Sequence, residues 1–118
     1  MRFVKREIIF YKDYFKHFYL EQTEKVQEKI AYVMTVIRTV DRIPEKFLTH
    51  ITGKDGLYEM RVEYGSNIYR IFCVFDEGQL VVLLNGFHKK TQKTPPKEIE
   101  KAERLKKEYK EKKKNDKK

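Results

Sequence analysis

Tryptophan is missing from this chain, and cysteine, proline and glycine are scarce: one, three and five among 118 residues. With Cys73 alone, no internal disulfide and no thiolate metal cluster can form. Cys73 lies inside an apolar strand pattern, where a small buried thiol is expected. His17, His50 and His88 stand far apart and lack partnered acidic spacing, so no metal site and no cofactor is expected. Neither a Gly-rich phosphate loop nor a nucleophile elbow is present. A charged-then-apolar leader and a long apolar span are also lacking. The expectation is therefore no membrane partner and a cytoplasmic location.

What the chain does have is positive charge and aromatic rings. A formal net charge of +9 calls for a polyanionic partner, and 14% aromatic residues support a folded core. From residue 97 to 118 there are 11 Lys and Arg against 6 Asp and Glu, a surplus of five. The length suits one domain, expected over 1–109, with 110–118 as a basic tail that frays because no apolar stripe remains to bury.

The first ten residues are β-branched and aromatic enough for an opening strand. Tyr11, Tyr14, Phe15 and Phe18 fall at helical spacing, and Thr23 can cap a second helix striped by Val26, Ile30, Val33, Met34, Ile37 and Val40. Pro44 ends that region, and Glu45–Ile51 reads as a further turn or two of helix. The period then changes to two. Leu57–Tyr64, Ile68–Phe75 and Leu80–Leu84 read as strands separated by Gly53-Lys54-Asp55-Gly56, Gly65-Ser66-Asn67 and Asp76-Glu77-Gly78. Leu80–Leu84 is a continuous apolar run, the mark of a strand buried on both faces. After Asn85-Gly86 it delivers Phe87-His88-Lys89-Lys90 to its end. Thr94 is placed to cap a basic helix whose first position Pro95 can take. The fold class is α+β: helices on one face of an antiparallel meander, then a basic C-terminal helix.

Arg70 interrupts an otherwise apolar strand, which is costly unless the charge finds a partner or a cleft. One reading is a salt bridge to Glu59 or Glu63 on the neighbouring strand. The other is a guanidinium at the floor of a concave surface, ready to hold a phosphate, with Arg61 sharing it. His88 can exchange protons near neutral pH, and Lys89, Lys90 and Lys93 surround it just before a helix N-terminus. Tyr58 and Tyr69 are candidates for base stacking, though core packing is the plainer use of each.

Leu57-Tyr58-Glu59-Met60-Arg61, Tyr69-Arg70-Ile71-Phe72, Leu83 through Thr91, Lys93-Thr94-Pro95 and Glu98-Ile99 together resemble the phage-derived Gp49-like, or HigB-like, toxins of the RelE/ParE superfamily. The resemblance runs from about Leu57 to Ala102. It implies a small twisted antiparallel sheet (RelE-like) with an N-terminal helical hairpin, and a type II toxin that cleaves mRNA on the ribosome. A small helix-turn-helix antitoxin is the implied partner, with mRNA and ribosomal RNA as the other contacts.

By motif position, Arg61 and Arg70 resemble the family's phosphate-binding residues. His88, Lys89 and Lys90 stand at the strand end that holds its acid/base groups. Lys93, Lys97, Tyr58 and Tyr69 would then contact RNA. Asn85 stands where many relatives have histidine, and Glu59 where some have a basic residue, so the general base stays open. Two other readings share the chain's features: a non-catalytic inhibitor of DNA gyrase of the ParE type, and an RNA-binding module without turnover.

Overall fold

The computed structural model describes residues 5–116. In chain order these form β1 (Glu7–Phe10), α1 (Tyr14–Leu20), α2 (Glu24–Thr39), β2 (Leu48–His50), β3 (Leu57–Tyr64), β4 (Asn67–Phe75), β5 (Leu80–Lys89) and α3 (Pro96–Asp116). The fold is α+β. The first four residues of the expected opening strand lie outside the described residues.

A meander of β3, β4 and β5 forms the centre of one sheet ordered β1-β5-β4-β3-β2. β2 joins antiparallel at one edge, and β1 joins parallel to β5 at the other, so the sheet is mixed. The parallel edge arises because the chain leaves β1 through two helices and returns to the sheet at its far side. Glu45–Ile51, read from sequence as helical, makes a single turn closed by the Phe47 N–H to the Pro44 carbonyl and then becomes β2. The open edge of β3 accounts for the change: its ladder bonds outweigh a weak local helical preference.

The N-terminal helices and α3 cover opposite faces. Thr23 caps α2 by accepting a hydrogen bond from the Val26 N–H, and Val26, Ile30, Val33 and Ile37 form its buried stripe. With Phe15 and Phe18 of α1 they pack on Met60, Val62, Tyr69, Ile71, Cys73, Val81 and Leu83. Each such side chain, fully buried, contributes about 1.5–3 kcal/mol. On the other face Ala102 and Leu105 of α3 pack on Leu57, Phe72, Val74, Val82 and Leu84. Covered on both sides, β4 and β5 require the continuous apolar runs that their sequences show.

α3 begins at Pro96, one residue later than expected. The Pro95 carbonyl accepts from the Glu98 and Ile99 N–H groups, so Pro95 stands in the capping place expected of Thr94. A residue before proline is driven out of helical conformation, and Pro95 itself precedes Pro96. At the far end, helical geometry continues beyond Tyr109 to Asp116. There the Tyr109 hydroxyl and the Lys113 ammonium both donate to Asp76 at the end of β4, at 2.5 and 2.6 Å.

One irregularity in β5 decides what the sheet presents. Ile71 pairs with Gly86 but Cys73 with Leu83, so a single β4 residue, Phe72, faces two on β5, Leu84 and Asn85. This is a β-bulge, and the extra residue reverses the side-chain alternation beyond it. Before the bulge Val82 and Leu84 face α3. After it Phe87 and Lys89 do, opposite Arg70 and Ile68, while His88 pairs with Tyr69 and turns to the other side. Gly86 permits the arrangement: a Cβ there would lie 2.7 Å from the Phe18 ring.

Candidate functional site

The α3 face of β3 carries Leu57, Glu59 and Arg61 at alternate positions, and the same face of β4 carries Arg70 and Phe72. Arg61 and Arg70 are direct cross-strand partners. Two guanidinium groups side by side repel, and the carboxylate that relieves them is Glu59. Its Oε1 lies 3.7 Å from Arg70 Nε and 4.0 Å from Arg61 Nε. Arg70 therefore has the Glu59 partner that the salt-bridge reading named, and the same carboxylate reaches Arg61.

Burial grades this cluster from floor to rim. Arg70 is 2% exposed and Glu59 is buried, whereas the Arg61 side chain keeps 35% of its surface in solvent. Lys89, brought to this face by the bulge, is half-buried. Burial holds the Lys89 ammonium below its ordinary pKa; Arg70 and Arg61 push the same way, against the pull of Glu59. Burial likewise lowers Arg70, with Arg61 adding to it and Glu59 and Glu63 opposing.

The cluster is under-bonded. Arg70 Nη1 donates to the Tyr69 carbonyl at 3.2 Å, but Arg70 Nε, Glu59 Oε2 and Asn85 Oδ1 are buried without a hydrogen-bond partner. Asn85, at the bulge, spends its amide N–H groups on the Glu98 carbonyl and carboxylate at the start of α3, both at 3.4 Å. Buried polar groups are ordinarily paired, so three orphans around one sheet position mark a place with unspent hydrogen-bonding capacity.

The other residues singled out from sequence are dispersed. His88 does not join the arginines; its ring stacks on Tyr69 across the opposite face, 4.7 Å between centroids. Tyr69 is 5% exposed, between His88 and Phe18, and offers no free face to a base. Tyr58 is on that same side, edge-on to His50 and Phe75. Lys90 and Lys93 are exposed in the loop after β5, where the Lys93 carbonyl accepts from the Thr91 hydroxyl, and Lys97 is exposed in the first turn of α3. Among the described residues no group of three or more His, Cys, Asp or Glu could hold a metal ion, and no helix is long and apolar enough to cross a membrane.

Glu59 is the member that sequence reasoning undervalued. Its signal was there: a carboxylate two residues before Arg61 on a strand must share its face. Lys89 was named from sequence together with His88 and Lys90; which of them shares the arginines' face is decided by the bulge.

A buried carboxylate paired with two arginines, on a five-stranded mixed sheet with helices on both faces, defines a small α+β protein with a charged strand centre. The chain belongs to the phage-derived Gp49-like protein family (DUF891), whose pattern matches residues 18–107. Membership is consistent with the HigB-like resemblance within the RelE/ParE superfamily, and suggests a toxin of a toxin–antitoxin system with an antitoxin as partner. Comparison with curated proteins returns no match.

Proposed function

We propose that the protein is a ribosome-dependent endoribonuclease toxin that cleaves mRNA by attack of a ribose 2′-hydroxyl on its own phosphodiester. The observation that carries this reading is the pairing of both Arg61 and Arg70 with Glu59, with Lys89 on the same face of the sheet. A pentacovalent phosphorane gathers negative charge that such cations stabilise. Glu59 is the one carboxylate among the four groups, and it takes the 2′ proton as the 2′-oxygen bonds to phosphorus. The lowered pKa of Lys89 makes its ammonium the better acid, and it protonates the 5′-oxygen as the P–O5′ bond breaks. The products are a 2′,3′-cyclic phosphate and a 5′-hydroxyl end. Arg61, at the rim, meets the phosphate first; Arg70 holds Glu59 in place and adds its positive charge from below.

The test uses the two rim cations, because their loss leaves the buried pair intact. Arg61→Ala and Lys89→Met should melt within a few degrees of the parent. Each should cut a transcript on programmed ribosomes at least about 100-fold more slowly, the loss typical of a removed charge-stabilising group. Full-rate cleavage by both variants contradicts the assignment. Growth arrest with intact transcripts and inhibited supercoiling moves the reading to gyrase.

A further inference from the structure

β2 covers only the first half of β3, pairing Leu48–His50 with Met60–Tyr58. Past that point a cavity of about 590 Å³ opens at the sheet edge, lined by Lys29 and Tyr32 of α2, Lys46 and Phe47 of the turn before β2, and Arg61 and Glu63 of β3. Tyr32 is 53% exposed and stands edge-to-face with Phe47, ring centroids 6.0 Å apart at 74°. The two rings therefore make a corner with one open side. An ammonium sits over each, Lys29 at 5.1 Å from the Tyr32 centroid and Lys46 at 5.0 Å from that of Phe47. Neither lysine has a carboxylate within ion-pair distance among the described residues. Arg61 forms part of this cavity and also reaches Glu59, so the cavity continues the cation cluster.

We propose that this corner holds one nucleotide of single-stranded RNA next to the phosphate bound by Arg61. The inference rests on the cleavage reading for the identity of the strand, and deepens it. The base stacks in the Tyr32–Phe47 corner, an arrangement that tolerates any base because each has a π-face. Lys29 and Lys46 then turn from the rings to the flanking phosphate, and Glu63 offers an acceptor to base N–H groups at the rim. A protein partner fits less well: the cavity combines flat rings with cations that lack acidic partners, which is the pairing a nucleotide supplies in one unit.

Fluorescence anisotropy of the full chain with a labelled 2′-O-methyl hexaribonucleotide, which cannot undergo 2′ attack, reads this binding apart from cleavage. Tyr32→Ala should weaken it by about 5- to 150-fold, the range for a lost base–aromatic stack, while Tyr32→Phe keeps it. Lys29→Gln and Lys46→Gln should each flatten the salt dependence by about 0.7 in the log–log slope. Lys16→Gln, on the exposed side of α1, serves as the charge control and should bind like the other variants' parent. Parent-like affinity in Tyr32→Ala, or an equal loss in Lys16→Gln, overturns the proposal. If Tyr32 governs binding but the parent cleaves no transcript on ribosomes, the nucleotide corner stands and the nuclease reading falls. If transcripts are cut but Tyr32→Ala binds the oligonucleotide normally, the corner falls and the nuclease reading stands.

Discussion

Arg70 and Arg61 differ by nine residues in sequence and by one step across the sheet, yet their removal should have unequal consequences for the fold. Arg70 is 2% exposed, and its loss leaves the Glu59 carboxylate buried with a partner missing. Arg70→Ala should therefore cost about 3–5 kcal/mol in denaturant unfolding, as breaking a buried pair does. Arg61→Ala, at a pair of 4.0 Å with a third of the side chain in water, should cost less than about 1 kcal/mol. Equal costs would mean that Arg70 is not held by Glu59. Gly86 supplies a second expectation at this scale. A methyl group there meets the Phe18 ring at 2.7 Å, inside van der Waals contact. Gly86→Ala should destabilise by about 1–3 kcal/mol through overpacking, and Gly86→Ala combined with Phe18→Leu should recover part of it.

Among the elements, those with strong periodicity were legible from sequence: the α2 stripe with its Thr23 cap, and the three central strands with their turns. β2 was not, because three residues carry too little pattern to overrule a local helical preference until the edge of β3 is known to be free. The bulge concealed which residue at the end of β5 joins the arginines. Alternation read straight through Asn85-Gly86 puts His88 with the arginines, whereas one extra residue puts Lys89 there instead. A glycine isolated within a strand is the signal for such a bulge. The clasp that ties α3 to β4 was equally invisible, since nothing local links Asp76 to residues some thirty positions on. Burial alone would raise the Asp76 carboxyl, but hydrogen bonds from Lys113, Tyr109 and the Glu77 N–H outweigh it and hold the pKa at about 2, below the ordinary 3.8. A depressed folded-state value means that the clasp's stabilisation is complete above the unfolded pKa and is lost as pH falls from about 4 through about 2. Melting temperatures of the parent and Asp76→Asn should therefore differ at pH 7 and converge near pH 2. A gap that persists at pH 2 would show that the clasp does not act through the carboxylate's charge.

For the molecule as a whole, the positive surplus on α3 and the cation cluster serve different ends. Lys110, Lys112 and Lys114 are exposed along the last turns, while Lys113 is committed to Asp76. Replacing the three exposed lysines by glutamine should leave the melting temperature near the parent's and make co-sedimentation with ribosomes fail at lower salt. Unchanged co-sedimentation across a salt series would remove the tether role from α3. The proposed function makes a narrower claim: cleavage would fall to Glu59, Arg61, Arg70 and Lys89 on the α3 face of the sheet, and not to His88 on the opposite face. The most direct measurement compares Lys89→Met with His88→Ala in single-turnover cleavage of mRNA on programmed ribosomes. The account predicts a loss of at least about 100-fold for Lys89→Met and a rate within about fivefold of the parent for His88→Ala. The reverse order, with His88→Ala inactive and Lys89→Met active, would contradict it.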